Sequence, residues 1–580
     1  MGLKAHTAGS GEWADRTWPH FAPGGLWRRI DALDPAVALA AFVALAFALR
    51  LLTAFFFAGM VGSEGAEYAT IARHIVSGRG YAGLVTEGPE LIFPPLFPAL
   101  IAAFSFLTND FEWAGRLVSM IFGALLVVPT YLIARRIFGR RTALFAGALV
   151  AVHPFLIRYS IAIFTETMFL TLILTAIYMS MRSASSPTLR NVGLAGAFYG
   201  LAYLVRQEAF AYLLLGIGFM ALDIALRRPS SLRRPRTVSR LALLPLIFCV
   251  LAGPYVGWLG GQTGQFRIEA KSPLNLATER RVQSGMSIDE AAFGIDADLT
   301  PRGVWIQPNL ASIESYPLSR REVFGIMAKE AEAVAKNTVA MVIAYFALGG
   351  PLLFGLAVLG LFSTPWGPRQ TLDNAHLMAV LGLVVFGTFF IYYSNERFYL
   401  PFIPVLGIWA SAGVLQLVGW AEETAEMWGA SRFRQIAGAT STLLAAALLL
   451  LPSLASSYAR LTADRAERDF KYAMVDLASR RSEPLRVADS DSQLAYHANG
   501  KLIWLPFTDE STALRYLARK GTTHVVVRQS QLSFRPYLAR WFENGVPGAH
   551  EAADVVSATG ERLKIFGFDR PGEQPGSIKE

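Results

Sequence analysis

Cysteine is all but missing from this sequence: Cys249 is the only one, and it sits inside an apolar run, which excludes an intramolecular disulfide and a cysteine-based metal site. Charge is scarce as well. Asp, Glu, Lys and Arg make up 17% of the 580 residues against 53% hydrophobic ones, and mean hydropathy is +0.38, a balance foreign to soluble globular domains. No G-x-x-x-x-G-K loop and no dinucleotide fingerprint in a strand context occurs, which disfavours a nucleotide-driven pump and a nucleotide-sugar enzyme of soluble type. The formal net charge of +9 is concentrated in short loops without interleaved aromatics, so nucleic acid is not an expected partner. No internal repeat stands out.

What the sequence has in quantity is long apolar runs. Several reach the roughly 18 to 25 residues that cross a hydrocarbon core of about 30 Å. The first follows some 34 residues rich in Trp, Arg and Pro, unlike the short basic start and small-residue cleavage site of a signal peptide, and reads as a retained anchor. About eleven spans are expected, near residues 35–60, 116–136, 142–160, 166–182, 191–205, 207–226, 239–259, 337–363, 376–393, 399–419 and 436–457. The basic stretches 28–29, 135–141, 182–190 and 227–240 all fall on one side, the cytoplasmic one, only if the apolar stretch 94–108 does not cross. It is therefore expected to be a juxtamembrane helix on the outer face. An outer loop 61–115, a long outer loop 261–336 and an outer C-terminus follow.

The expected organisation is a cytoplasmic segment 1–34, a transmembrane module 35–260, the periplasmic loop 261–336, further transmembrane helices 337–458, a small α/β domain 459–570 and a disordered tail 571–580. Strands are expected at 485–488, 501–505 and 524–527, and helices at 511–520 and 535–542.

The first outer loop reads GSEGAEYATIARHIVSGRGY over 62–81, in which Tyr68, Ile71, Ala72 and Ile75 recur at helical spacing and suit a helix lying in the interface. Glu64 and Glu67 fall in its first turn, where a carboxylate is either a simple response to the helix dipole or a reactive group. The other ionisable residues at the ends of spans are Glu166, with Thr165 as the expected helix cap, Arg206, Glu208, Glu396 and Arg397, with Lys271 in the long loop. Arg397 with Glu396, and Arg206 with Glu208, would be the ordinary interfacial ion pairs. All these residues gather on one side, which favours catalysis there over a transport path through the bilayer midplane. Arg50 would snorkel or support Glu64. His74 and His153 have no partners at metal-ligand spacing.

The acidic residue four positions before Tyr68, the amphipathic helix, the Gly-x-Gly-Tyr turn and PPLFP closely resemble the first outer loop of the GT-C glycosyltransferases, in the branch of protein O-mannosyltransferases and the lipid A aminoarabinose transferase. RLVSMIFGALLVVPTYLIARRIFGRR, HPFLIRYSIAIFTETMF, GLAYLVRQEAF and ERFYLPFIPVLGIWASAG are similar to the same module. The resemblance implies a polytopic helical membrane enzyme that moves a sugar from a polyprenyl phosphate to a hydroxyl of a lipid, glycan or protein on the outer face, with inversion. It implies Glu64 as catalytic base, with Glu67 as the alternative, Glu166 as a second acidic position able to orient the acceptor or help hold a divalent cation, and Tyr68 as a neighbour. Arg206, Arg397 and Lys271 suit a phosphate clamp because Arg meets phosphate oxygens bidentately. One departure is plain: many members carry Asp-Glu where this sequence has Glu64-Gly65.

Overall fold

The computed structural model of the protein describes residues 32–85, 88–227, 235–307, 350–363, 365–388, 396–429 and 434–568. Its first part is helical: α1 (Pro35–Phe57), α2 (Ser63–Val76), α3 (Leu96–Thr108), α4 (Phe111–Leu125), α5 (Val127–Phe138), α6 (Arg140–Val152), α7 (Pro154–Ser160), α8 (Glu166–Ser185), α9 (Leu189–Tyr203), α10 (Ala209–Arg227) and α11 (Pro235–Thr263). The long connection after α11 carries α12 (Lys271–Gln283) and α13 (Ile288–Phe293), and its residues beyond 307 lie outside the described ones. Then come α14 (Gly350–Phe362), α15 (Pro368–Thr388), α16 (Phe402–Met427) and α17 (Arg434–Ala466).

Seven of these helical stretches are long and apolar enough to cross a membrane, and α6 with α7, bent by 52° at His153-Pro154, makes an eighth. The chain is a multi-pass membrane protein. Among the other expected spans, α9 has 15 residues, α14 has 13 and α15 has 21; part of 337–363 and of 376–393 falls outside the described residues. The stretch 94–108 forms the 13-residue α3, which at about 1.5 Å per residue covers some 20 Å, short of a hydrocarbon core.

Small residues let the helices approach closely. A Cβ on Gly360 of α14 would stand 1.9 Å from the Trp409 carbonyl of α16, and one on Gly413 would stand 2.1 Å from the Leu356 carbonyl. Arg50, expected to snorkel or to support Glu64, does neither. It is fully buried within α1 and donates to the carbonyls of Ala46 and Ala151 and to Ser160 Oγ, at 2.9 to 3.0 Å, so it satisfies α6 carbonyls orphaned where the chain bends into α7. At the far end of the bundle, Arg136 forks onto Asp373 at 2.7 and 3.2 Å and ties α5 to α15.

After α17 the chain forms α18 (Arg468–Ser479), β1 (Arg486–Asp489), α19 (Gln493–His497), β2 (Lys501–Trp504), α20 (Glu510–Arg519), β3 (His524–Arg528), α21 (Leu538–Asn544), β4 (His550–Val556) and β5 (Arg562–Gly567). The five strands form one sheet in the order β2-β1-β3-β5-β4, with β1 parallel to β2 and β3, and β5 antiparallel to β3 and β4. Side-chain alternation gives the sheet two apolar faces: Ala488, Val525 and Val527 pack with Trp541 and Leu517, and Val487 and Val526 pack with Phe470 and Met474 of α18. The second face turns to the bundle, because Met60 and Leu84 of the first loop pack against it. Ser492 Oγ donates to the Ser63 carbonyl at 3.1 Å, Trp504 Nε1 to the Val85 carbonyl at 3.3 Å, and Arg73 reaches Asn499 Oδ1 at 2.5 Å. Lys471 pairs with Glu112 at 2.8 Å. The sheet thus lies directly over α2.

Candidate active site

The chain from α1 to α2 is short and pinned: Arg116 of α4 donates to the carbonyls of Gly59 and Ile161, each at 2.7 Å, and so ties the start of the first loop to the turn before α8. α2 starts at Gly62 with extended backbone and no side-chain cap, which leaves its first-turn N–H groups without a local acceptor and places Glu64 in the positive end of the helix dipole. The residue after it, Gly65, is wedged. A Cβ there would stand 3.0 Å from Ile163 Cβ and 3.0 Å from Val61 Cγ1, so a larger acidic neighbour to Glu64 has no room unless Ile163 moves. Packing accounts for the Glu64-Gly65 departure.

Glu64 meets Arg397 in a two-pronged pair, Oε2 accepting from Nη1 at 2.8 Å and Oε1 from Nη2 at 2.6 Å. Arg397 sits on the 3-10 turn Glu396–Tyr399 just before α16, and its guanidinium lies over the rings of Phe164 (5.3 Å) and Phe398 (5.4 Å). The same guanidinium is 3.7 Å from Glu166 Oε1 at the start of α8, and that oxygen also accepts from Arg206 Nη1 at 3.1 Å. Arg206, in the break between α9 and α10, gives its other arm to Glu208 at 3.0 Å. Glu64, Arg397, Glu166, Arg206 and Glu208 therefore form one chain of alternating charge. Glu166 is 5% exposed, and its second oxygen, Oε2, has no hydrogen-bond donor. Thr165 does not cap α8; its hydroxyl faces that of Tyr68.

Lys271 opens α12 with its ammonium 5.8 Å from the centre of the Phe93 ring, and Phe93 and Phe97 hold Tyr68 edge-on at 4.8 and 4.9 Å. Burial pushes the Glu64 carboxyl up, yet the charges of Arg397, then Lys271, the Arg397 hydrogen bonds and Arg206 together hold it down at about 2. Glu208 is lowered as well: burial opposes ionisation and Arg206 overcomes it. The Tyr68 phenol is pushed well up by burial and then by the Glu64 charge.

The structure thus brings Glu64, Glu166, Arg206, Arg397 and Glu208 together, with Lys271 and Tyr68 beside them. It separates two others. Glu67 turns away from Arg397, and its carboxylate accepts from the backbone N–H of Leu84 at 2.9 Å and of Val85 at 3.1 Å. Glu396 pairs not with Arg397 but with Arg158 of α7 at 2.5 Å, with the Tyr159 hydroxyl at 3.5 Å. Arg158 escaped the sequence reading because its partner is 238 residues away and no local spacing marks the pair. Among the described residues no group of three or more His, Cys, Asp or Glu is disposed to hold a metal ion.

The family described as Dolichyl-phosphate-mannose-protein mannosyltransferase matches residues 93–255. No curated protein sequence matches. Two solved structures are similar in fold. ArnT from Cupriavidus metallidurans bound to undecaprenyl phosphate is 15% identical, with 91% of this chain and 97% of that one covered and a TM-score of 0.54. The oligosaccharyltransferase AglB from Archaeoglobus fulgidus, in complex with an inhibitory peptide and a dolichol-phosphate, is 14% identical, with 91% and 74% covered and a TM-score of 0.56. The chain shares the fold of ArnT and AglB, and the mannosyltransferase family's sequence pattern runs through its residues 93–255.

Proposed function

We propose that the protein is a membrane glycosyltransferase that moves a sugar from a polyprenyl-phosphate donor to an acceptor hydroxyl, with inversion, on the outer face of the inner membrane. The observation that carries this reading is the Glu64–Arg397 pair joined through Glu166 to Arg206 at one end of a helical bundle. The bound undecaprenyl phosphate of ArnT and dolichol-phosphate of AglB support a polyprenyl phosphate as the donor's carrier. The outer placement is supported by the basic loops 135–141, 182–190 and 227–240, which fall on one side of the membrane if α3 lies along it.

The chemistry needs few groups, because a polyprenyl phosphate is already a fair leaving group. Arg206, Arg397 and Lys271 would take the phosphate oxygens, Glu64 would remove the acceptor's proton, and attack opposite the phosphate would invert the anomeric carbon. In the free protein both Glu64 oxygens are occupied by the Arg397 guanidinium, and a carboxylate held near 2 is a weak base. A donor phosphate that draws Arg397 onto itself would release Glu64 and let burial raise it, so the base would arm only when the donor is seated. The orphaned Glu166 Oε2 suits the acceptor hydroxyl.

The test is transfer from a panel of radiolabelled polyprenyl-phosphate sugars to membrane extract, comparing wild type with Glu64→Gln. Covalent product lost in the variant while donor binding persists is the expected result. Transfer that survives the substitution removes Glu64 as the base, and movement of donor across vesicles without product would make the protein a transporter.

A further inference from the structure

Beside Glu64, on the adjoining face of α2, two carboxyl groups are buried against each other. Glu67 is 1% exposed and Glu90 is 0% exposed. A Cβ on Gly83 would stand 1.6 Å from Glu67 Oε1 and 2.8 Å from Glu90 Oε2, so both oxygens crowd one point that only a glycine leaves open. Glu67 accepts from the N–H groups of Leu84 and Val85, and Glu90 Oε1 accepts from those of Ile92 at 2.6 Å and Phe93 at 3.1 Å. Among the described residues Glu90 Oε2 has no hydrogen-bond donor, and the Glu67 carboxyl lies beside it across Gly83. Two carboxylates cannot donate to each other. A hydrogen bond between them requires one proton, and two bare charges buried in contact would repel strongly.

We propose that Glu67 and Glu90 share one proton, and that this acid pair is a latch that positions residues 82–85 and 88–93 of the first loop and, through Phe93 and Lys271, the phosphate side of the site. The claim about the site rests on the function proposed above; the latch itself does not. The loop is closed at its base by the Glu90 N–H on the Tyr81 carbonyl at 2.9 Å and by the Ala82–Pro89 bridge. It is fastened to its surroundings by the Tyr81 hydroxyl on the Phe93 carbonyl (2.6 Å), by His74 Nδ1 against the Ala82 carbonyl (2.8 Å) and by Trp504 on Val85. Phe93 in turn contacts Tyr68 and the Lys271 ammonium.

Burial first, and for Glu67 the neighbouring Glu90, raise both carboxyls. The groups that face the pair are Tyr81 of the loop, Tyr255 of α11 and Lys271 of α12; His74 touches the loop at Ala82. Lys271 is the one cation among them, and it lies across Phe93 rather than on the pair. A carboxyl raised by folding gives stability that is complete below its ordinary value and is lost as pH rises toward the folded value. The latch therefore holds in acid and loosens with rising pH, releasing its proton to solvent.

The experiment uses the full chain in lipid nanodiscs and follows hydrogen exchange of the 84–93 amides across a pH series, corrected for intrinsic exchange. Glu67→Gln keeps the acceptor for Leu84 and supplies a permanent N–H to Glu90, and Glu90→Gln does the reverse. Wild type should lose protection with rising pH, by about tenfold or more per opened latch, whereas both variants should be flat; His74 is intact in each, so a slope due to His74 would survive in all three. In the transfer assay the wild-type KM for donor should rise with pH while kcat holds, and Glu67→Gln should remove that rise with activity kept. A wild-type exchange slope retained in both variants overturns the latch. A wild-type exchange profile that is itself flat also overturns the latch; a sloped wild type beside two flat variants, with no transfer by any of them, would sustain the latch and overturn the proposed function, and Glu67→Gln as inactive as Glu64→Gln would make Glu67 a base instead of a positioning residue.

Discussion

Replacing Arg397 by methionine should change the pH profile of the reaction in a direction fixed by the site. Burial alone would raise Glu64, and the surrounding cations, Arg397 foremost, bring it to about 2 from an ordinary 4.5. That interval corresponds to roughly 3 kcal/mol in favour of the carboxylate, at about 1.4 kcal/mol for each factor of ten. The side chain is 24% exposed, so solvent screens the pair only in part. In the free wild-type enzyme Glu64 stays ionised down to about pH 2, and kcat/KM, which reports the free enzyme, should show no acid limb from Glu64 above that. kcat reports the donor complex, where the phosphate competes for Arg397, and its acid limb should lie at higher pH. In Arg397→Met both quantities should show a limb near or above 4.5, each falling tenfold per pH unit below it, on top of a loss of about 10²- to 10³-fold from the missing phosphate contact. The stability sign is the opposite of the latch: a lowered carboxyl stabilises the fold above its ordinary value and ceases to as pH falls toward 2, so the variant's unfolding midpoint in detergent should lie below wild type at pH 7 and converge with it in strong acid. Identical acid limbs for kcat and kcat/KM in wild type, unchanged in Arg397→Met, would refute the idea that Arg397 masks the base.

Glu166→Gln removes the negative charge between two guanidiniums while keeping an oxygen for Arg206, so kcat should fall about tenfold or more with the unfolding midpoint nearly unchanged, measured by transfer and by thermal melts. Gly360→Val drives a side chain into the Trp409 carbonyl of α16, and overpacking of this kind should cost about 1 to 3 kcal/mol or more, seen as a lower melting midpoint without a site-specific change in pH profile. Trp504→Phe removes the N–H on the Val85 carbonyl and should raise exchange of the 84–93 amides at every pH, leaving their pH dependence in place.

Eight of the eleven expected spans, counting the bent α6–α7 pair as one, were legible from run length, because a hydrocarbon core demands a fixed length of apolar chain whatever packs beside it. The strands β1, β2 and β3 were legible from short apolar runs between turns; β4 and β5 were not. β4 carries His550, Glu551 and Asp554 along a sheet edge and has no buried stripe, so its pattern is that of a loop. In the site, Glu166, Arg206 and Arg397 were legible because charge at the end of a span is costly and therefore informative, whereas Glu64 stood out only through the resemblance of the first outer loop. Their pairing was not. Sequence neighbours suggested Glu396 with Arg397, but consecutive side chains on a 3-10 turn diverge, so Glu396 reaches Arg158 and Arg397 reaches Glu64. Arg206 does meet its neighbour Glu208, and it meets Glu166 as well. Glu90 carried no signal at all, since its partner Glu67 is 23 positions away and the pair depends on a bare Gly83 between them.

These pairings give α2 two different chemical faces. Toward α16 it presents Glu64, ionised and held by Arg397; toward the 82–93 loop it presents Glu67, sharing a proton with Glu90. The two carboxyls are three positions apart, which on a helix puts them on adjoining faces rather than opposite ones, so a shift of α2 that eased one contact would strain the other. The sheet above α2 resists such a shift through Ser492 on the Ser63 carbonyl and Asn499 on Arg73, at the two ends of the helix. The C-terminal sheet therefore acts on the candidate site by fixing the helix that carries Glu64, and loosening it should first disturb the position of that residue.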